Sequence, residues 1–200
     1  MEKGLPFSGN VTLDDPEGKV GAVYELSRGG AVPFTRRADG RIEVPLSYDT
    51  NDGRLLVFLE HKITSVKVDV GESRFVVTGS TGFQPVQNGQ DARSPMTEDG
   101  TESISPGDIT ITMTVCDDAG RSVAARLPVE IRVYDAAGAE LDGAGFACAE
   151  NGVFTLTVRT NLNDPSGGYR VVCRDRASGI AKEIWVRSKA KEQNHGKKIN

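Results

Sequence analysis

The stretch Ile109-Thr-Ile-Thr-Met-Thr-Val115 decides the fold class of this chain. Apolar side chains occupy every second position, and threonines 110, 112 and 114 occupy the positions between them. Successive side chains of a β-strand point to opposite faces of its sheet, so this alternation predicts a strand with one buried face and one polar face. An α-helix would instead repeat its apolar residues every three or four positions.

The same alternation recurs on both sides of this stretch, whereas helical periodicity is almost absent. The 23 glycines and 9 prolines among 200 residues predict many short turns between strands. The sequence therefore predicts an all-β fold with no confident helix. Further strands are predicted at 19–26, 31–35, 41–48, 55–59, 63–70, 74–78, 129–134, 154–158 and 169–174, with a last strand running through Trp185 to Arg187.

These strands divide into two groups near His61. Residues 1–61 are predicted to form a small antiparallel β-sandwich or meander. Residues 62–188 carry about seven strands, the number found in an immunoglobulin-like β-sandwich. A long loop at 79–107 interrupts the second group, and loops of this length are usually functional or disordered. The lysine-rich segment 189–200 is predicted to be a frayed tail.

Two sets of motifs resemble known accessory modules. Val23–Phe34, Asp39–Leu46 and Gly53–Leu59 resemble the small C-terminal β-sandwich that closes many glycoside hydrolase-like proteins. The second set resembles bacterial immunoglobulin-like and macroglobulin-type repeats, and its segments are 129–138, 152–156, 163–170 and 175–179. The resemblance implies a pair of non-catalytic modules beside a larger catalytic or surface-protein domain. It also implies an exported or cell-surface location, and it carries over no catalytic residue.

Composition excludes several classes of partner. The net charge of −4 and pI near 5.3 give no electrostatic basis for binding nucleic acid. No apolar run approaches the roughly 18 residues that a membrane helix requires. Met1–Pro6 shows no apolar signal-peptide core, so no signal peptide is predicted in this chain. Gly29-Gly30 and Gly167-Gly168 follow turn residues and open no helix, so no phosphate-binding loop and no cofactor are expected.

No group of residues satisfies the requirements of an enzyme. His61 lies at the junction and His195 in the tail, and neither has an adjacent group that would orient it as a base. The carboxylate pairs fall in predicted turns, where Asp caps the backbone. These pairs are Asp14-Asp15, Asp49/Asp52 and Asp117-Asp118. The chain is therefore predicted to have no catalytic residue and no metal site.

The cysteines, Cys116, Cys148 and Cys173, have spacings that match no zinc site. Alternation puts Cys173 on an inward face and Cys116 on the threonine face, which argues against a bridge between them. Cys148 could form a disulfide bridge with either of them. Buried free thiols are the favoured interpretation.

Trp185 is the single tryptophan and the one candidate for ligand contact. It alternates with Ile184 and Val186, so it should lie on the opposite face of its strand. The leading hypothesis is a structural accessory module that packs against a larger domain. A second is a module that binds carbohydrate or protein through loop 79–107 or Trp185. A macroglobulin-like or adhesin-type repeat is a further alternative, and an enzyme is the least favoured.

Overall fold

The computed structural model describes residues 7–48, 53–71, 75–78, 108–143, 145–160 and 168–188. Within these ranges all the regular secondary structure is β, so the all-β prediction is confirmed. The described residues contain no helix that is long and apolar enough to cross a membrane. In chain order the strands are β1 (Phe7–Asp14), β2 (Ala22–Glu25), β3 (Thr35–Arg36), β4 (Arg41–Tyr48), β5 (Leu56–Leu59), β6 (Ile63–Val70), β7 (Phe75–Thr78), β8 (Asp108–Asp117), β9 (Leu127–Tyr134), β10 (Gly145–Ala149), β11 (Val153–Arg159), β12 (Tyr169–Asp175) and β13 (Ala181–Ser188).

The strands form four sheets, and every pairing between them is antiparallel. Sheet I has the order β1-β4-β3, and sheet II pairs β2 with β5. Sheet III has the order β11-β8-β6, and sheet IV has the order β10-β9-β12-β13-β7. We call residues 7–61 the N-terminal region and residues 62–188 the C-terminal region. Sheets I and II belong to the first, and sheets III and IV belong to the second.

Sheets III and IV contribute their inward side chains to one large hydrophobic core. In β8 the four apolar residues of the alternating stretch are all fully buried, as the sequence predicts. The threonines lie on the other side of sheet III, where Thr112 Oγ1 lies 3.2 Å from Thr155 Oγ1 and Thr110 Oγ1 lies 3.2 Å from Thr157 Oγ1. Such cross-strand threonine pairs stabilise neighbouring strands.

Strand β2 belongs to two cores at once. Val23 packs in a small core with Val44 and Leu46, whereas Ala22 and Tyr24 pack into the large core of the C-terminal region. The hydroxyl of Tyr24 accepts a hydrogen bond of 2.8 Å from the backbone N–H of Ile63. The two regions therefore share buried contacts, and the domain boundary near His61 stays a prediction.

Close backbone packing sets the beginning of β2. The carboxylate of Asp15 accepts hydrogen bonds of 3.0 Å from the N–H groups of Lys19 and Val20, which folds this segment into a tight loop. A Cβ at Gly21 would lie 2.2 Å from the carbonyl oxygen of Glu60, so only glycine fits there. These contacts explain why β2 begins at Ala22 rather than at residue 19, where the sequence predicted it.

Several sequence-based expectations for the N-terminal region are wrong in detail. The meander alternative fails because β1 pairs with β4 and β2 pairs with β5, not each strand with its successor. The strand predicted at 31–35 is reduced to a bridge at Ala31 and the short β3. The strand predicted at 55–59 begins one residue later, at Leu56, and Leu55 is 62% exposed. Strands β1 and β10 were not predicted.

Three turns of the C-terminal region use the same chemistry. Asp117, Asp135 and Asp175 each accept hydrogen bonds from backbone N–H groups two to four residues ahead. Each turn also contains a glycine at positive φ, at 120, 138 and 179 respectively. Asp and Gly favour these conformations for different reasons, since Asp supplies an acceptor and Gly tolerates positive φ. The prediction that Asp117-Asp118 forms a turn is confirmed.

Candidate binding face

The side of sheet IV that points away from the large core carries aromatic and charged side chains. We call this side the outer face. Its strands contribute Glu130, Arg132, Tyr134, Phe146, Cys148, Arg170, Val172, Arg174, Glu183 and Trp185. Most of these residues are half-buried, because neighbouring side chains cover one another across the strands.

Trp185 lies on the outer face, as its alternation with Ile184 and Val186 predicts. Ile184 is 3% exposed and Val186 is fully buried, while Trp185 is half-buried. In register, Trp185 lies opposite Arg170, which in turn lies opposite Tyr134. The Arg170 guanidinium sits 4.5 Å from the centre of the Tyr134 ring, the geometry of a cation–π contact. An arginine thus lies between two aromatic residues in one row across the sheet.

Glu130 is the centre of an ion-pair network on the outer face. Its Oε1 accepts a hydrogen bond of 2.6 Å from Arg132 Nε, and its Oε2 lies 3.3 Å from Arg176 Nη1. Arg132 also reaches Glu140, at 2.8 Å. Burial opposes ionisation of Glu130, but the hydrogen bond and charge of Arg132 outweigh it and hold the pKa of Glu130 below its usual value. The two glutamates raise the pKa of Arg132. These side chains are therefore held charged and in place.

Arg174 occupies the middle of the outer face and differs from the other arginines. It lies in register between Glu130 and Ala181 on the neighbouring strands. Its Nε is buried, and it has no hydrogen-bond partner among the described residues. A buried donor without an acceptor costs free energy, so this position opposes the stability of the single chain.

At the β10 edge of sheet IV the outer face is most exposed. Phe146 is 69% exposed, and the Arg176 guanidinium lies 5.6 Å from the centre of its ring. Cys148 is exposed on the same face, two residues along the strand. Strand β10 was not predicted, because Gly145-Phe-Ala-Cys-Ala149 contains no β-branched residue and is short. The alternation of Phe146 and Cys148 with small residues was the available signal.

His61 and the carboxylates Asp117 and Asp118 come close together, and Arg121 contacts two of the three. Ligand atoms of His61, Asp117 and Asp118 lie within 4.8 Å of one another. Arg121 donates to Asp117 Oδ2 through Nε at 3.0 Å, and its Nη2 lies 3.3 Å from His61 Nε2. Burial opposes ionisation of Asp117, but hydrogen bonds from the backbone N–H and side chain of Arg121 hold its pKa below the usual value. The guanidinium of Arg121 therefore already pairs with Asp117, the buried carboxylate of this cluster.

The remaining sequence candidates lie apart from one another. Asp14 is exposed and contacts Arg41 at 3.1 Å, whereas Asp15 is buried and contacts Arg36 at 2.7 Å. Both therefore act within the N-terminal region as ion-pair partners. Asp49, Asp52, His195, loop 79–107 and the tail 189–200 lie outside the described residues.

The cysteines are free, as the sequence analysis favoured. Cys173 lies in the large core, and burial raises the pKa of its thiol to about 12, so it is an unreactive apolar side chain. Cys116 is also fully buried, although its parity puts it on the threonine face. The chain returns beside it after the Asp117 turn, with a bridge between Cys116 and Ser122. Cys148 differs from the expected buried thiol because it lies on the outer face.

Two open depressions occur on sheet I. The larger, about 550 Å³, is lined by Ser8–Asn10 and Pro45–Ser47. The smaller, about 140 Å³, is lined by residues that include Phe34 and Glu43. Glu43 forms an ion pair of 2.5 Å with Arg37. Glycoside hydrolysis requires two carboxyl groups about 5–10 Å apart across a cleft, and neither set of lining residues supplies such a pair.

Comparison of the chain with family models, with curated proteins and with solved structures found no match. The resemblance to accessory modules of glycoside hydrolase-like proteins therefore stays an expectation.

Proposed function

We propose that this chain is a non-catalytic β-sandwich module that attaches to a larger protein through the outer face of sheet IV. The observation that carries this proposal is the row formed by Trp185, Arg170 and Tyr134 across the outer face. The module would act by positioning or presenting its partner domain rather than by chemistry.

The residue types of the outer face support a protein partner. Trp, Tyr and Arg are the side chains most enriched among the energetically dominant residues of protein interfaces. Here they are held in fixed positions by cross-strand contacts such as the stacking of Arg170 on Tyr134. Side chains that are already ordered lose less conformational entropy on binding. The partner surface should supply carboxylate or carbonyl oxygens for Arg170 and an apolar contact for Trp185.

The strand order supports an accessory β-sandwich of the immunoglobulin-like class. Sheets III and IV share one core, and their orders β11-β8-β6 and β10-β9-β12-β13-β7 are those that a Greek-key arrangement of two packed sheets would give. Folds of this class serve many unrelated functions, so the outer face, and not the fold, determines the proposed role.

Carbohydrate binding through Trp185 is the second candidate. An exposed aromatic ring flanked by polar side chains can stack on a sugar, and Trp185 has Arg170 opposite it and Glu183 two residues away on the same face. The half-buried state of Trp185 favours the first candidate, because part of the ring is already covered within the chain.

Site-directed photo-crosslinking in the organism that makes the protein tests the proposal. A photoreactive phenylalanine analogue at Trp185 should form crosslinks to one dominant protein or to a neighbouring domain. The same analogue at Thr112, on the outer side of sheet III, is the matched control and should form few crosslinks. Arg170→Glu should abolish the Trp185 crosslinks through charge reversal. Equal crosslinking from Trp185 and Thr112 would contradict the proposal.

Affinity electrophoresis through a panel of polysaccharides separates the two candidates. The protein-attachment proposal expects no retardation. Retardation that is lost in Trp185→Ala but kept in Thr112→Ala would establish carbohydrate binding instead. Turnover of glycoside, ester or peptide substrates by the purified chain would overturn both candidates.

A further inference from the structure

The open edge of sheet IV is formed by β10, whose pairing with β9 determines where its backbone groups point. In an antiparallel pair, residues alternate between pairs that exchange backbone hydrogen bonds and pairs that do not. Val133 O accepts a bond from Leu141 N on the β10 side of β9, at 2.8 Å. Pro128 O accepts a bond from Arg176 N on the opposite, β12 side, at 2.9 Å. Odd-numbered residues of β9 thus point their backbone groups toward β10.

It follows that Gly145, Ala147 and Ala149 form the hydrogen-bonded pairs with β9, opposite Ile131, Val129 and Leu127. Phe146 and Cys148, opposite Glu130 and Pro128, direct their N–H and C=O groups away from the sheet. These groups have no backbone partner among the described residues. The same residues expose their side chains on the outer face, so backbone and side chains are both available at one edge.

We infer that β10 pairs with β10 of a second copy of this chain, in antiparallel register about Ala147. This register places Phe146 of each copy opposite Cys148 of the other, so that the outward N–H and C=O groups of both residues exchange hydrogen bonds. Phe146, which is 69% exposed in the single chain, packs beside the thiol of the second copy. Sheet IV then continues across both molecules.

The residues of β10 favour a second copy as the occupant. No residue between Gly145 and Ala149 is charged, so two identical edges approach without repulsion. The side chains on the inward side of β10, those of Gly145, Ala147 and Ala149, are hydrogen or methyl groups, which leave room for the second strand to approach. By contrast β6, an edge strand of sheet III, exposes the charged side chains of Lys67 and Asp69, which discourage such pairing. The pairing is independent of the proposed function, because it uses the β10 edge of sheet IV and does not involve Trp185 on β13.

Sedimentation of the full chain under reducing conditions, from about 1 µM to about 1 mM, tests the inference over the range where weak self-association is measurable. A reversible dimer is expected. Phe146→Lys introduces a charge at the edge and should abolish dimerisation over this range. Thr155→Lys introduces the same charge on β11, an edge strand of sheet III, and should leave the dimer unchanged.

Two substitutions at one position separate the backbone from the thiol. Cys148→Pro removes the outward N–H without removing a hydrogen bond to β9, so it should also abolish the dimer. Cys148→Ala keeps the N–H and removes the thiol, and it should still dimerise. If the proline variant does not fold, Phe146→Lys and amide exchange in the unaltered chain decide the question.

Hydrogen exchange identifies the edge directly. At high concentration the amides of Phe146 and Cys148 should exchange more slowly than at low concentration, while those of Ala147 and Ala149 should not change. A chain that stays monomeric throughout the range would overturn the inference. So would a dimer that survives Phe146→Lys and leaves the exchange of Phe146 and Cys148 independent of concentration.

Discussion

The N-terminal and C-terminal regions are both built from antiparallel sheets, but they obtain their stability differently. The C-terminal region closes a large core between sheets III and IV. The N-terminal region has a small core whose buried members are Val23, Val44 and Leu46. It places Ala22, Tyr24 and Leu59 in the core of its neighbour instead. Since burial of apolar area is the main stabilising term, the first region depends on the second.

Separating the two regions should have the largest effect. Residues 1–61 expressed alone should remain unfolded, because the small core cannot offset the conformational entropy of the chain and because one side of β2 would face water. Residues 62–200 should keep their sheets. Amide dispersion in two-dimensional NMR spectra checks both fragments. A dispersed spectrum for 1–61 would show an independent domain and would confirm the boundary that the sequence predicted near His61.

Core truncations should then differ between the regions. Ile111→Ala removes a fully buried side chain of β8 and should lower the free energy of unfolding by about 2–5 kcal/mol. Val44→Ala, in the small core, removes less apolar volume and should cost about 2 kcal/mol. Urea denaturation of both variants measures the difference. An equal or larger cost for Val44→Ala would mean that the small core contributes more than its size indicates.

The hydrogen bond between the regions should have an intermediate effect. Tyr24→Phe leaves the buried N–H of Ile63 without its acceptor and should cost about 1–3 kcal/mol. The Ile63 amide should also exchange faster. Tyr134→Phe, on the outer face, is the control and should change stability by less than about 0.5 kcal/mol. Equal effects of the two substitutions would show that the Tyr24 hydroxyl does not couple the regions.

Acid sensitivity should be the smallest effect and should appear in both regions. Burial opposes ionisation of Asp15, but hydrogen bonds from Arg36, Val20 and Lys19 outweigh it and hold the pKa below the ordinary 3.8. A carboxyl with a lowered pKa stabilises the fold fully above its unfolded pKa, and this contribution is lost as pH falls toward the folded pKa. The midpoint temperature of thermal unfolding of the unaltered chain should therefore decrease as the pH is lowered below 3.8.

Asp15→Asn should reduce the decrease of the midpoint temperature with falling pH. Asp117→Asn should have the same effect in the C-terminal region, because the pKa of Asp117 is also held below its usual value. Thermal unfolding from about pH 7 to about pH 2.5 measures the slopes. If both variants keep the full slope of the unaltered chain, other carboxyl groups cause the acid sensitivity.

The β elements of the C-terminal region were largely predictable from sequence. Alternation located β8, β9 and β12, because each has one fully buried face. The Asp-Gly turns between strands were predictable, because the aspartate, the N–H groups that it accepts from and the glycine at positive φ all lie within a few residues of one another. Strand β10 was not predictable, because three of its five residues are glycine or alanine, which have weak strand propensity, and pairing with β9 makes it a strand.

The candidate site was predictable only in part. Alternation placed Trp185 on the face opposite Ile184 and Val186, and this placement is confirmed. Its neighbours were not predictable, because Arg170 and Tyr134 come beside it only through the register of β13, β12 and β9. Likewise the contact of Arg121 with His61 joins residues 60 positions apart.

The sequence by itself determined the fold class, the Asp-Gly turns and the buried face of β8, β9 and β12, because these depend on periodicity and on interactions within a few residues. The tertiary structure alone decided which faces meet and which edges stay open. It joined Tyr24 to Ile63 across the two regions, and it left Phe146 and Cys148 at the open edge of sheet IV. The physical reason is that strand pairing and core packing depend on contacts between residues that are distant in sequence. Alternation specifies which face of a strand is buried, but it does not specify the strand or sheet that packs against that face.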